Sequence, residues 1–305
     1  MRRLVRLLFN AWYRFLEDDG WAIASHVALT GLTALFPFLI FVTALSGYFG
    51  TKTLADEAAR LVFDAWPAQV AGPIATEISH VLTQTRGGVL TIGALLALYF
   101  SSSAVEAVRI ALNRAYQTRD ERPWYVLRLE SIAYVIVGAV TLIVFALLIV
   151  LAPLAWDHIL RFAPAAEPLS QTFTFGRIGV TGIILIAALT VAHKFLGAGR
   201  RKFKEIAPGI ILTLVLWVAF GEFFGIYIRE FARNYVTTYA GLASVMITVV
   251  FLYTLSAIFI YGSELNAAIS RRRAEKLAMR LAAQRAAADR TAADAAVHET
   301  AARIR

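Results

Sequence analysis

Hydrophobic and polar positions along this chain are grouped into long runs. No Asp, Glu, Lys or Arg occurs in six stretches: Gly20–Thr51, Gly87–Val105, Ser131–Trp156, Ile178–His193, Ile206–Gly221 and Asn234–Ser263. A run of about 20 apolar residues is long enough to cross the hydrocarbon core of a bilayer as a helix. The pattern therefore predicts an all-α protein, a polytopic integral membrane helical bundle.

We expect six transmembrane helices, at about residues 25–50, 87–108, 130–155, 176–195, 207–229 and 240–266. The composition agrees, because 17% of the residues are charged, whereas soluble domains carry about 25%. The chain then divides into three parts. These are an amphipathic interfacial N-terminal helix at 1–20, the six-span membrane domain at 21–269 and a basic cytosolic C-terminal tail at 270–305.

The distribution of basic residues predicts the orientation. Six spans place both termini on one side, and that side carries 23 Lys and Arg residues against seven on the other. Basic residues are retained in the cytoplasm, so we expect both termini to be cytoplasmic. Topology and attraction to anionic lipid headgroups then account for the net charge of +9. Nucleic acid is not required as a partner.

The N-terminal helix has two open interpretations. One face carries apolar residues, and the opposite face carries Arg3, Arg6, Asn10 and Arg14. Such a helix lies on the inner leaflet or folds against the bundle, and the sequence favours neither. Within the first span, Pro37 predicts a kink, because proline removes one backbone donor and clashes with the preceding turn.

The second span ends in polar residues that share one helix face. Ser102, Glu106, Arg109 and Asn113 are spaced by four, three and four residues, which places them on one side of a helix. One interpretation is an interface, at which Glu106 and Arg109 form a pair. The other is that the face lines a polar cavity open to the cytoplasm, and the spacing alone leaves both possible.

Three further polar residues lie within or at the ends of other spans. Glu222 lies between Gly221 and Gly225 in the outer third of the fifth span, where an acid is costly and marks either a structural pair, for example with Arg229, or a functional group. Glu264 and Asn266 end the sixth span on the same side as the Ser102–Asn113 face. These seven residues are the candidate cavity or transport residues.

Enzymatic and cofactor sites are not predicted. The five histidines are scattered, and no metal-ligand or catalytic motif such as HExxH is present. The chain also contains no cysteine, which excludes thiolate chemistry. We therefore expect no catalytic, cofactor-binding or metal-binding residues, and a protein that is not an enzyme.

Three stretches carry a family resemblance: "SHVALTGLTALFPFLIF", "GALLALYFSSSAVEAVRIALNRAYQ" and "YAGLASVMITVVFLYTLSAIFIYGSELNAAI". Together they resemble the YihY/virulence factor BrkB family, over roughly residues 5 to 270. The resemblance implies a multi-pass protein of the bacterial inner membrane with six spans. Transport has been suggested for relatives, whereas the family's older ribonuclease label finds no support in these residues.

Two functions are consistent with these patterns. The first is a transporter or flippase-like exporter of an amphiphile or small solute. The alternative is a non-transporting scaffold or assembly factor for the cell envelope. The expected partners are the bilayer, anionic headgroups at the cytoplasmic face and an unknown substrate; the sequence assigns no oligomeric state.

Overall fold

The computed structural model describes residues 2–48, 89–162, 169–199, 201–239 and 241–303. Within these ranges the chain forms seven α-helices and no strand: α1 Arg2–Glu17, α2 Gly20–Tyr48, α3 Val89–Ala115, α4 Trp124–Phe162, α5 Ser170–Val191, α6 Phe203–Tyr239 and α7 Gly241–Arg303. A π-helical turn, Ala192–Leu196, follows α5. The predicted all-α fold is confirmed.

Five of these helices contain a segment long and apolar enough to cross a membrane: Gly20–Phe38, Gly93–Ala115, Trp124–Ile143, Phe203–Ile228 and Val245–Ala287. The apolar segment at the end of α5, Gly182–Leu196, is shorter. The polytopic membrane class is therefore confirmed. The exact number of six spans and the side on which the termini lie remain predictions.

The helices pack around α2 and α7. Helix α2 packs against α3 and α7, α6 packs against α7, and α3 packs against α4. A cluster of buried apolar residues joins α1, α2, α3, α5, α6 and α7 and includes Phe15, Ala24, Leu112, Leu189, Ile206 and Ile260. In α3, α5 and α6 this cluster lies near a helix end, so it holds the adjacent polar groups in place.

Helix α1 folds against the bundle and also keeps an exposed apolar face. Ala11 and Phe15 are buried, and the Tyr261 hydroxyl of α7 donates to the Leu8 carbonyl oxygen at 3.2 Å. On the other side, Phe9 and Tyr13 are exposed, where they suit the interfacial region of a bilayer. The packing on α7 supports the interpretation that α1 folds against the bundle, and its position on the inner leaflet remains a prediction.

Helix α2 continues through Pro37 as far as Tyr48. In the second half of α2, Val42 packs against Ala139 and Ile143 of α4. This contact and the packing of α2 on α3 place α2 at the centre of the first four helices. The kink at Pro37 remains a prediction.

Two glycines allow helices α6 and α7 to approach each other closely. A Cβ atom added at Gly209 would collide with the Gly262 carbonyl oxygen and the Asn266 amide, and one added at Gly262 would collide with the Thr213 hydroxyl. Glycine is needed at both positions because any larger side chain would force the helices apart. The crossing brings the start of α6 against the polar segment of α7.

Candidate functional site

One end of the bundle gathers polar side chains from α3, α4, α6, α7 and from the connections 116–123 and 197–202. We call this region the polar end. Arg109 of α3 is its most deeply buried arginine, with 3% of its surface exposed. Its Nη2 donates to Ser131 Oγ at 2.8 Å and to Glu130 Oε2 at 3.4 Å, both on α4. Its Nε has no hydrogen-bond partner among the residues that the structure describes.

Two further arginines complete the contact between α3 and α4. Arg122 donates to Glu130 at 2.8 Å and to Asp120 Oδ2 at 2.6 Å. The hydrogen bonds from Arg122 lower the pKa of Asp120 below its usual value. Arg128 pairs with Glu106, and its guanidinium carbon lies 3.8 Å from the centre of the Tyr99 ring. Three arginines thus meet three acids, so the group carries no net charge.

Asn113 joins the end of α3 to the connection before α6. Its Oδ1 accepts from the backbone N–H of Ala198 at 2.7 Å. In that connection Gly199 adopts a φ of 92°, a left-handed conformation that glycine reaches without strain. The Arg201 guanidinium carbon lies 3.7 Å from the centre of the Tyr116 ring. Burial raises the pKa of Tyr116 to about 12, so this tyrosine stays neutral.

Asn266 and His193 extend this network into the bundle. Asn266 is fully buried; its Oδ1 accepts from the Gly209 N–H at 2.7 Å, and its Nδ2 donates to the Tyr116 hydroxyl at 3.3 Å. His193 is also fully buried, with Nδ1 donating to the Leu189 carbonyl oxygen at 2.9 Å. Most polar atoms of this part of the polar end are therefore satisfied within the chain.

The carboxylate oxygens of Glu264 are less completely hydrogen-bonded. Its side chain is 1% exposed, and its Oε2 lies 3.3 Å from Arg271 Nη2. Within the described ranges its Oε1 is buried without a hydrogen-bond partner, and the same holds for Arg271 Nη1. Asp18, in the connection between α1 and α2, contributes a second negative charge near Glu264. A buried carboxylate with an unpaired oxygen is energetically costly.

Six of the seven residues predicted from the sequence lie at the polar end. They do not, however, form a single hydrogen-bonded pair or a continuous hydrogen-bonded chain with one another. Glu106 and Arg109 each bond to α4 instead of to each other. The Ser102 hydroxyl donates to the Tyr99 carbonyl oxygen of its own helix at 2.6 Å. Glu222 is exposed on α6, apart from the other six, and the side chain of Arg229 is outside the described part of the chain.

Several important residues were not singled out from the sequence. They are Tyr116, Arg128, Glu130, Ser131, His193 and Arg201. A signal for three of them was present, because "RLES" at residues 128–131 opens a long apolar run with an arginine, a glutamate and a serine within one helical turn. No comparable signal marks His193, which lies in an apolar run.

The fold and the polar end together define a polytopic α-helical membrane protein with buried, mutually paired charges at one end of its bundle. The chain belongs to the family described as Virulence factor BrkB, whose model matches residues 11–287.

Curated relatives agree with this membership. The chain is 25% identical to the "Putative ribonuclease-like protein YfkH" of Bacillus subtilis, over 85% of this chain and 94% of that protein. It is 29% identical to a UPF0761 membrane protein of Rhodospirillum centenum and 24% identical to one of Xanthomonas campestris, over 90% and 88% of this chain. It spans 59% and 62% of the lengths of these two UPF0761 proteins. No solved structure matches significantly.

Proposed function

We propose that this protein is a transporter of the bacterial inner membrane that moves an amphiphile or a small solute across the bilayer, as a flippase-like exporter does. One observation carries the proposal: charged groups at the polar end are buried and keep unpaired polar atoms. Arg109 Nε and Glu264 Oε1 have no partner in the part of the chain that the structure describes.

The unpaired atoms at the polar end are more readily explained if this region changes its arrangement than if it is static. An unpaired buried polar atom costs about 1–3 kcal/mol, and ionisable residues within spans commonly mark substrate pathways. In a static scaffold nothing offsets this free-energy cost. A transporter recovers it when a substrate, or a second arrangement of the helices, supplies the missing partner.

The orientation is part of the proposal. The connections at the polar end carry Arg119, Arg122, Arg201 and Lys202, and Lys204 follows in the first turn of α6. Such a group of basic residues is typical of a cytoplasmic face. With both termini in the cytoplasm, a substrate reaches the polar end from the inner leaflet or the cytosol. An amphiphile suits this position, because exposed apolar residues such as Trp124 and Phe203 lie beside the charged groups.

The scaffold function remains the second candidate because of α7. This helix continues to Arg303, and residues 273–287 are exposed along their whole length. An exposed basic helix beyond the bundle offers a surface for a partner protein. A scaffold would use this extension and would not require the polar end to open.

We infer that the chain is not an enzyme. Hydrolysis of RNA requires a positioned acid–base pair or metal ligands. At the polar end, Glu106, Asp120, Glu130 and Glu264 each face an arginine instead. The word "ribonuclease-like" in the name of the Bacillus relative is therefore not extended to this chain.

Movement of labelled lipid in vesicles tests the transport proposal. The purified protein is reconstituted into vesicles of phosphatidylethanolamine and phosphatidylglycerol that contain fluorescent NBD-labelled phospholipid or lysophospholipid in both leaflets. Dithionite bleaches only the label in the outer leaflet of a sealed vesicle. We expect the protein to move label from the inner to the outer leaflet. Dithionite should therefore bleach this label as well.

Arg109→Met is the matched variant for this assay. It has a similar volume and no charge, so we expect vesicles with this variant to bleach like protein-free vesicles. If wild-type protein leaves both labels in place, in vesicles that remain sealed and contain folded protein, transport of an amphiphile is contradicted and the scaffold function is favoured.

A further inference from the structure

Two acids face each other where the connection between α1 and α2 meets α7. Asp18 lies in this connection, and its carboxyl group is within hydrogen-bonding reach of the Glu264 carboxyl group. The exposed fraction of the side chain is 15% for Asp18 and 1% for Glu264. Two carboxylates in this position repel each other and cannot hydrogen-bond, because each offers only acceptors. The contact becomes favourable when one of them carries a proton.

The basic neighbours of Glu264 compensate its charge incompletely. Arg271 reaches Glu264 Oε2 through Nη2 alone, at 3.3 Å. Glu264 Oε1 and Arg271 Nη1 are both buried without a hydrogen-bond partner among the described residues. Arg14 of α1 adds a further positive charge nearby, but its own guanidinium is paired with Glu17 at 3.3 Å. An ionised carboxylate buried in these surroundings is costly.

The other titratable groups around this corner add little net charge. Tyr116 is neutral, and the two charged residues that act on it, Arg201 and Glu205, have opposite signs. His193 is fully buried against the residue before Glu264, and burial disfavours its charged form. The unpaired oxygen of Glu264 therefore has no compensating charge from these groups.

We propose that Glu264 and Asp18 form a proton-binding site, in which one proton joins α7 to the connection between α1 and α2. The Glu264 carboxylate takes the proton from water at the edge of the bundle beside Asp18 and becomes a carboxylic acid. Its new O–H then donates to a carboxylate oxygen of Asp18. One O–H bond to Glu264 forms and one O–H bond in the water donor breaks, so the step is complete without a further reactant.

Glu264 rather than Asp18 carries the proton, because Asp18 has partners that favour its charge. Gln117 Nε2 donates to Asp18 Oδ2 at 3.4 Å, and Arg114 Nε lies 3.8 Å from Asp18 Oδ1. Asp18 is also closer to water than Glu264. Hydrogen bonds, a nearby cation and solvent all stabilise an ionised carboxyl group. The protonated Glu264 thus meets an acceptor that stays charged.

A proton suits this site better than a larger cation. Glu264 Oε1 is closed to solvent, whereas a metal ion needs a cavity and several oxygen ligands. Among the described residues, no group of three or more His, Cys, Asp or Glu side chains could hold a metal ion. A proton requires only one oxygen to bind it and a second to accept its hydrogen bond, and both are already in place.

The site also supplies a coupling ion for the proposed transport. The proton holds α7 against the α1–α2 connection at lower pH, and this contact is lost as the pH rises and Glu264 ionises. A proton therefore shifts the balance between two arrangements of these elements. The role in coupling rests on the proposed function, whereas proton binding does not. Because proton binding is measured without lipid movement, either claim can fail alone.

Infrared difference spectroscopy of the full chain in vesicles of phosphatidylethanolamine and phosphatidylglycerol tests the site. Exposed Asp and Glu side chains titrate near about pH 4, so they are ionised both at about pH 6 and at about pH 9. A carboxyl group that still holds a proton has a C=O stretching band that a carboxylate lacks. We expect the wild type to show this band at the lower pH and to lose it at the higher pH.

Three variants assign the band. Glu264→Gln keeps the shape of the side chain but cannot take up the proton, so the band should disappear. Glu275→Gln, on the exposed part of the same helix, is the matched control and should keep the full band. Asp18→Asn removes the negative charge that favours the proton, so the band at the lower pH should fall by about half or more.

Three results would overturn the proton-binding site. The first is a folded wild-type protein without the band. The second is a band that persists in Glu264→Gln. The third is a band that is unchanged in Asp18→Asn, and this variant also decides the question if Glu264→Gln does not fold, since Asp18 lies in a partly exposed connection.

Discussion

Replacing Arg109 by lysine is expected to lower transport about tenfold or more, which corresponds to at least about 1.4 kcal/mol. Arg109 is 3% exposed, so a lysine at this position has no route by which to extend its ammonium group to water. The guanidinium bonds Ser131 and Glu130 on α4 at once, and a lysine does not reproduce this planar geometry. The measurement is the rate of NBD-lipid movement in reconstituted vesicles.

The control for this variant lies five residues away on the same helix. Arg114 is 51% exposed, and Arg114→Lys should keep the wild-type rate within about twofold, because exposed ion pairs contribute about 0–1 kcal/mol. Both variants should be present in the membrane at normal levels. Equal rates for Arg109→Lys, Arg114→Lys and the wild type would show that the Arg109 contact is only structural.

Replacing Gly209 by alanine is expected to lower the free energy of unfolding by about 2–4 kcal/mol. The added methyl group collides with the Gly262 carbonyl oxygen and the Asn266 amide of α7. Separation of the helices then costs packing energy and weakens the 2.7 Å hydrogen bond from the Gly209 N–H to Asn266. Thermal unfolding in detergent, followed by tryptophan fluorescence, measures the change.

Gly138→Ala on α4 is the matched control for this effect. No heavy atom of the described residues lies within 4 Å of a Cβ atom at Gly138, so the same substitution should be neutral or stabilise the helix by up to about 1 kcal/mol. An unfolding temperature that changes equally in Gly209→Ala and Gly138→Ala would show that the close approach of α6 and α7 is not important for stability.

The positions of the helices could be predicted because hydrophobic runs are a local property of the sequence. The predicted span 87–108 falls on α3, and the predicted span 240–266 falls on α7. The helices extend beyond the spans, however, as α3 reaches Ala115 and α7 reaches Arg303. Hydropathy marks only the part of a helix that suits lipid, and a helix of good helix formers continues into water.

The partners of the polar residues could not be predicted in the same way. Arg109 and Ser131 are 22 residues apart, and Asn113 and Ala198 are 85 apart. Spacing on one helix identifies the residues that share a face, which is why Glu106 and Arg109 were grouped together. It does not determine which neighbouring helix supplies the partner, because this depends on the packing of α3 against α4 and against the connection before α6.

Glu222 is a second example of a residue whose surroundings could not be predicted. Its cost in a membrane was evident from the sequence, and so were the glycines beside it. The direction of its side chain was not, because it depends on which face of α6 packs against α7. The structure places Glu222 among the exposed residues of α6, away from the face that packs on α7.

The reactivity of a cysteine at Ser102 tests most directly whether the buried polar end opens. Ser102 is fully buried on the same helix face as Arg109, and Ser102→Cys is close in size to the native residue. Ala139, buried between α2 and α4, gives the matched variant Ala139→Cys, and exposed Glu121 gives Glu121→Cys as the reactive reference. If the polar end opens during transport, a water-soluble thiol reagent should modify Ser102→Cys at a measurable rate while Ala139→Cys stays protected. Equal protection of Ser102→Cys and Ala139→Cys, with Glu121→Cys fully modified, would contradict the account.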